Sequence, residues 1–503
     1  MIQGSAWISL LIPINLQHLI ADKANTLYNH HANCVEKKHP LYLSTEMNIN
    51  FRNKIRSVFA PISLPVFFFL GAIIVGAILL HSPFSCQGPA ISWLDALFTA
   101  TSAVCVTGLA VADTGQEFTR SGQAVILLLI QMGGLGIMTF SSLTFFLWKK
   151  KVSLTDRIAV GQGLLHNSGF HLGRFLVQIV TVTLVIEFFG ALLLFLADPE
   201  GFSPFSALFH AISAFCNAGF SLHSDSLVGY KSDWLVNLTI ILLILLGGAG
   251  FAVLVEGKDI LLARFKKPQQ KIQKSWHFTV VLQTSLFLIL AGWLYIYYAE
   301  FLGGTGEVSW HEAVLTSLFQ SVTCRTAGFN SLNLASMTNA SLVFMIFLMF
   351  VGGAPGSCAG GTKVTTFRIL TAFIRAQISG RDQAVIGRYA VDQESVNKAL
   401  TLLFFSLALI FFCLIALDFT EGGNVPHTQA RGQFLEIFFE TVSAFGTAGL
   451  STGLTSKLSP PGKVIIMFLM FVGRLGPLVL LSSIQSMRTK ILFSKPEETL
   501  SVG

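Results

Sequence analysis

Residues 97–109 read Leu-Phe-Thr-Ala-Thr-Ser-Ala-Val-Cys-Val-Thr-Gly-Leu, and the phrase returns three times. It recurs as Leu-Phe-His-Ala-Ile-Ser-Ala-Phe-Cys-Asn-Ala-Gly-Phe at 208–220, Leu-Phe-Gln-Ser-Val-Thr-Cys-Arg-Thr-Ala-Gly-Phe at 318–329 and Phe-Phe-Glu-Thr-Val-Ser-Ala-Phe-Gly-Thr-Ala-Gly-Leu at 438–450. The closing glycines Gly108, Gly219, Gly328 and Gly449 are 111, 109 and 121 positions apart, and the third copy is one residue shorter between its Phe and its Gly. Internal repetition outranks any local signal, so the chain is read as four copies of one unit.

Each phrase is about a dozen apolar or small residues, too short to cross a hydrocarbon core that needs about 20. Longer apolar runs flank the phrases, near 58–80, 122–148, 174–197, 236–256, 278–299, 341–375, 400–417 and 464–485. Every even-numbered run carries a second glycine cluster: Gly133-Gly134-Leu-Gly136, Gly247-Gly248-Ala-Gly250, Gly352-Gly353-Ala-Pro-Gly356 and Gly473-Arg-Leu-Gly476. The predicted unit is therefore a span, a short half-helix, a glycine loop and a glycine-bearing span. The predicted fold class is an all-α polytopic membrane protein with four such repeats arranged pseudo-fourfold around a central pore. The repeats run over 52–160, 161–268, 269–392 and 393–503, the last with a short cytosolic tail.

Composition agrees with lipid as the solvent. Of 503 residues 52% are hydrophobic and 12% charged, half the roughly 25% charge of a soluble domain, and the mean hydropathy is +0.66. The formal charge of +7 is not a nucleic-acid signal. If the half-helices re-enter from one face, 25 of the 33 Lys and Arg fall on the inter-repeat side, five opposite (Arg120, Lys231, Arg431, Lys457, Lys463) and three within the membrane (Arg325, Lys363, Arg474). Basic loops mark the cytoplasmic side, which puts both termini in the cytoplasm of a cell-membrane protein. Residues 1–51 differ, being Asn- and His-rich and broken by Pro13 and Pro40. They read as an extension, disordered or untranslated, with Met47 as the expected start. Seven cysteines form no CxxC pair, which argues against a zinc site or a disulfide framework.

Irregular backbone at membrane depth persists only where it lines a water path or is buried in protein. Four such loops suggest a ring whose carbonyls replace the hydration shell of a cation, with glycine allowing the backbone angles that turn them inward. Each half-helix would aim its negative C-terminal end at the axis. The predicted ion-binding residues are Cys105, Val106, Thr107 and Gly108; Cys216, Asn217, Ala218 and Gly219; Arg325, Thr326, Ala327 and Gly328; and Gly446, Thr447, Ala448 and Gly449. Arg325 is expected to brace its loop rather than touch the ion, since a cation repels a cation.

At these residues, and at Gly-Gly-Ala-Pro-Gly-Ser-Cys-Ala-Gly-Gly-Thr-Lys over 352–363, the chain resembles the Trk/Ktr/HKT superfamily of potassium transporters, most closely the bacterial Ktr membrane subunit. The resemblance covers 52–503. It implies potassium uptake, often sodium-dependent, through a homodimer gated by a cytosolic RCK ring that supplies the nucleotide site. This chain would bind no cofactor, with potassium and in some members sodium as cargo and lipid as its surroundings. The segment holding Gly352, Gly353, Pro355, Gly356, Ser357, Gly360, Gly361 and Lys363 is either a packing break or, as the resemblance implies, an intramembrane gate. Arg474 in the last span either pairs with Glu436 or Glu440 or raises a barrier beside the pore. Only the first loop has the Thr-Gly order of a symmetric potassium filter, which predicts a less constraining filter.

Two other classes compete. An ion-coupled secondary transporter would bind substrate at broken helices, but its repeats are often inverted and these share one orientation. An intramembrane hydrolase needs a nucleophile and base facing each other in the membrane, and the sequence offers no such pair; no HExxH helix is present, and Thr362-Lys363 reverses the order of a phosphate loop. No enzyme activity is predicted.

Overall fold

The computed structural model describes residues 64–136, 172–266, 274–302, 309–423, 426, 428–430 and 432–476. All of them belong to one of the chain's two units, Pro61–Ile484. The N-terminal extension, Cys34 and Met47 lie outside the described residues, as do the ends of the second and eighth apolar runs.

Fourteen helices fall into four sets among the described residues. The first is α1 (Leu64–His81), α2 (Trp93–Val104) and α3 (Arg120–Gly134). The second is α4 (Leu172–Ala197), α5 (Pro204–Phe215), α6 (Trp234–Gly248) and α7 (Phe251–Lys266). The third is α8 (Trp276–Ile296), α9 (Trp310–Thr323), α10 (Asn339–Phe350) and α11 (Val364–Ile378). The fourth is α12 (Gln393–Glu421), α13 (Gln433–Gly446) and α14 (Pro460–Leu475). The repeated phrases are α2, α5, α9 and α13, and the first three start on a serine whose hydroxyl accepts a first-turn N–H: Ser92, Ser203 and Ser309. Such caps satisfy donors that a helix start otherwise leaves open.

Two expected spans are not continuous helices. The run at 236–256 bends by 109° between α6 and α7, because the chain reverses at Gly250, whose φ of 87° only glycine adopts freely. The run at 341–375 is split into α10 and α11 by residues 351–363. By length and composition, three straight helices can cross a bilayer, Val177–Ala197, Trp276–Leu302 and Gln393–Glu421, and the bent pair makes a fourth. Their outward faces are apolar. Only 28% of the best α12 window is buried, and Phe404, Phe411, Phe412 and Phe419 stand exposed on it, an arrangement that is stable in lipid and prone to aggregation in water.

Within each set the half-helix packs on the flanking helices, α2 on α1 and α3, α5 on α4 and α6, α9 on α8, and α13 on α12 and α14. Between sets, α3 packs on α5, α6 on α9, α10 on α13, and α14 on α2. The Phe near the start of each phrase, Phe98, Phe209, Phe319 and Phe439, is 0% exposed; truncating one to alanine would cost about 3–5 kcal/mol. The second glycine clusters have a packing role. A side chain on Gly133, Gly247 or Gly473 would strike the carbonyl of Val104, Phe215 or Phe445 at the end of its own unit's half-helix. Ion pairs join neighbouring units at the half-helix starts: Lys463 to Asp95 at 2.5 Å and Lys231 to Glu312 at 2.8 Å.

Candidate functional site

Past each half-helix the backbone follows one pattern. Val106, Asn217, Thr326 and Thr447 have φ of 55°, 59°, 69° and 48°, and two residues later Gly108, Gly219, Gly328 and Gly449 have 96°, 70°, 82° and 75°. The left-handed region is uncommon for non-glycine residues and a true outlier for β-branched ones, costing about 1–3 kcal/mol each. Three of the four non-glycine positions are β-branched, so the surrounding structure must hold them. It does so through the residue between: Thr107, Ala218 and Ala448 donate N–H to the carbonyls of Ser102, Ser213 and Ser443 at 2.8, 2.7 and 2.8 Å. In the shorter third copy Ala327 donates to Thr323 at 2.9 Å. The missing residue is absorbed there, and the left-handed pair survives.

The four loops meet. A Cβ on Gly108 would lie 2.5 Å from the Ala218 oxygen, on Gly219 2.8 Å from the Ala327 oxygen, on Gly328 3.1 Å from the Ala448 oxygen, and on Gly449 3.0 Å from the Gly108 Cα and closer still to the Thr107 oxygen. Each glycine thus faces the carbonyl that precedes the next loop's glycine. Four backbone carbonyls, one from each unit, are thereby brought against the neighbouring loops.

The other residues predicted for this site have these places. Cys105 and Cys216 end their half-helices, donating N–H back to Thr101 and Ile212. The Cys216 thiol faces Gln131 at 3.5 Å and Glu187 at 3.9 Å. Gly446 is the last residue of α13. Arg325 turns its guanidinium away from the glycines, donating to the Gly352 carbonyl at 3.1 Å and to the Ser285 carbonyl and hydroxyl at 3.4 Å.

Residues 351–363 pack against these loops. Gly352 donates to Thr362 at 2.7 Å, closing the loop on itself, while Ala354 and Cys358 donate to the Gly248 and Gly247 carbonyls at 3.0 and 3.2 Å. The Gly356 carbonyl accepts from Phe251 at 3.1 Å, so Pro355, Gly356 and Ser357 sit against the bend between α6 and α7. The Cys358 thiol reaches the Gly134 carbonyl at 2.9 Å. Gly360 and Gly361 pack so closely on Thr447 and Gly446 that a Cβ would collide with or crowd them. Gly353 likewise faces the Ala359 methyl at 2.7 Å. Lys363 opens α11 and folds its ammonium back onto the Ala359 carbonyl at 2.6 Å. One loop therefore touches all four units.

Arg474 is 7% exposed and donates to the carbonyls of Cys358 and Gly133. Among the described residues it has no carboxylate partner. Glu436 stands exposed at the start of α13, and Glu440 is engaged by the Ser451 and Thr455 hydroxyls, so the expected pairing with either is replaced by backbone carbonyls. Two buried carboxylates escaped the sequence reading as site residues. Glu187 is 2% exposed and accepts from Gln131 at 3.1 Å, and Glu440 is 1% exposed. A charged residue inside an apolar run is the signal that marks Glu187.

At the end of the molecule where the half-helices start, Asp198 accepts from the Gly201 amide at 3.1 Å, the Tyr230 hydroxyl at 2.9 Å and the Glu200 amide at 3.2 Å. These bonds hold its carboxyl below the usual range, and burial together with Asp198 pushes Tyr230 up to about 12. His223 stacks on His210 at 4.9 Å. Burial holds its imidazole below the ordinary histidine range, against the opposing pull of Asp225 and Asp198.

Comparison with known proteins gives this geometry a family. Residues 70–490 match the TrkH family, described as cation transport protein. The chain is 42% identical over 431 residues to Ktr system potassium uptake protein B of Bacillus subtilis, covering 84% of this chain and 92% of that protein. It is 35% identical over 461 residues to potassium/sodium uptake protein NtpJ of Enterococcus hirae, covering 90% and 99%. The fold matches the crystal structure of the potassium transporter TrkH from Vibrio parahaemolyticus with a TM-score of 0.64 at 21% identity, over 83% of each chain. The chain is therefore a member of the Trk/Ktr family of membrane potassium and cation transporters.

Proposed function

We propose that this chain takes potassium into the cell through a filter formed by the carbonyls of the four glycine loops, with the four units set pseudo-fourfold about the path. The carrying observation is the repeated left-handed pair at 106/108, 217/219, 326/328 and 447/449 together with the glycine-to-carbonyl contacts that join the loops. The relatives' names, potassium uptake for one and potassium/sodium uptake for another, support potassium as cargo with sodium as coupling or competing ion. Residues 351–363 act as the gate: they lie across the path below the filter, tied by hydrogen bonds that a movement of α10 or α11 would break. Arg474 holds that loop closed and opposes cation passage.

Both termini and the inter-repeat loops face the cytoplasm, following the Lys and Arg count. A relative named as one protein of a Ktr system supports a separate regulatory subunit. We read it as an RCK-type nucleotide-binding ring acting on a homodimer, with no nucleotide bound by this chain. The test is growth of a potassium-uptake-deficient bacterium at sub-millimolar potassium with the chain or its Gly108→Ser variant, alone and with a cognate regulatory subunit. Rescue by the parent and loss in the variant at equal membrane expression supports the filter. Failure of the parent even with the subunit refutes it and favours an ion-coupled transporter that binds substrate at the breaks near 250 and 351–363.

A further inference from the structure

The residue after the buried Phe of each half-helix stands at one register, and its chemistry differs in every unit: Thr99, His210, Gln320 and Glu440. All four are buried, at 1, 0, 0 and 1% exposed. The residue two positions past each glycine is Ala110, Ser221, Asn330 or Ser451, a serine in the second and fourth units. In the first and third units the half-helix side chain finds no hydrogen-bond partner, Thr99 and both amide atoms of Gln320 being unpaired. In the second, His210 Nε2 lies 3.0 Å from the Ser221 hydroxyl. In the fourth, Ser451 Oγ donates to Glu440 Oε1 and Thr455 Oγ1 donates to Oε2 at 2.7 Å. Ser451 Oγ accepts from the Gly453 amide at 2.9 Å, which leaves its proton for the carboxylate.

Both carboxyl oxygens of Glu440 are therefore engaged by hydroxyls. The two arms of this network tie half-helix α13 to the chain leaving the fourth loop, one at the second residue past Gly449 and one at the turn leading into α14. A filter made of carbonyls discriminates ions by how firmly those carbonyls are held and by the field behind them. Among the four units only the fourth carries a carboxyl group held by two hydroxyls at this register, although the φ pattern of all four loops is the same.

We propose that Glu440 is a positioning residue that sets ion discrimination, by clamping the outer limb of the fourth loop through Ser451 and Thr455 and placing one negative charge behind its carbonyls. This rests on the filter reading above. The experiment measures rubidium uptake by the full chain in potassium-uptake-deficient cells, with potassium and sodium as competitors, normalised to membrane-inserted protein. Glu440→Gln, which removes the charge, and the pair Ser451→Ala with Thr455→Val, which cuts the clamp and keeps the carboxylate, are each expected to shift the potassium-to-sodium competition ratio by roughly fivefold or more. Glu440→Asp is expected to fall between them and the parent.

A structural role alone would lower uptake in proportion to inserted protein and leave the ratio where it was; that result overturns the proposal. Where Glu440→Gln does not reach the membrane, the double variant decides by the same criterion. Gly449→Ser runs beside them as the control for the filter itself. Full uptake by that variant refutes the filter reading, whereas loss of uptake there with unchanged ratios in the clamp variants refutes only the role of Glu440.

Discussion

Replacing Arg474 by alanine should raise cation flux, and the structure bounds by how much. The guanidinium donates to two buried carbonyls, but only the one at Cys358 belongs to residues 351–363; the other, at Gly133, lies in the last turn of α3. A hydrogen bond from a charged group contributes about 1.5–3 kcal/mol. Losing the Cys358 bond therefore raises the population of the displaced loop roughly 10- to 150-fold, at about 1.4 kcal/mol per factor of ten. Removing the charge acts in the same direction. Two like unit charges roughly 4–10 Å apart repel by about 2–4 kcal/mol at an effective dielectric of about 20, which sets the scale of that effect. The assay is initial rubidium uptake into proteoliposomes holding the purified chain, with inserted protein quantified. Arg474→Lys separates the two effects, because it keeps the charge and loses the planar fork that spans two carbonyls, and should give a smaller rise than Arg474→Ala. Uptake by Arg474→Ala equal to the parent at equal insertion refutes the reasoning, since neither the tether nor the charge would then limit flux.

Gly449→Ala should reduce uptake at least 100-fold: the new methyl meets the Thr107 carbonyl at a φ of 75°, so steric and conformational costs add; transport in matched membranes checks it. Arg325→Lys should lower thermal stability in detergent by about 1–3 kcal/mol, because one ammonium cannot reach both the Gly352 carbonyl and Ser285. A melting temperature unchanged from the parent would count against that bracing. His223 should make stability pH-dependent. Burial lowers its folded value below the unfolded one of about 6.5, so its contribution is whole above that pH and declines as pH falls from there through the folded value. Thermal unfolding between pH 7.5 and 5 should show a decline that His223→Gln flattens. Asp198, held low, keeps its contribution above about pH 4 and loses it on further acidification, so Asp198→Asn should flatten that more acidic arm.

Much of the fold was legible because it is written in local patterns that repeat. Apolar length separates spans from half-helices, and the recurring Phe and Gly bracket α2, α5, α9 and α13 within a few residues of their observed ends. The glycine segment at 352–363 stood out for the same reason, as a composition no apolar helix carries. The 109° bend after Gly248 was not legible, since the hydropathy of that run continues smoothly across it. Nor was the role of the second glycine clusters, which exists only because a half-helix carbonyl presses against them.

Taken alone, the amino-acid order determined that one phrase recurs four times and where each copy has its half-helix and loop. Tertiary structure alone decided that Val106, Thr326 and Thr447 take left-handed angles, and that Arg474 bonds carbonyls 116 and 341 residues away rather than a nearby glutamate. The reason is physical. Helix length and breaks follow from neighbours within a turn or two, whereas the partner of a buried charge, and the strain a loop can bear, depend on which distant backbone groups packing leaves within reach.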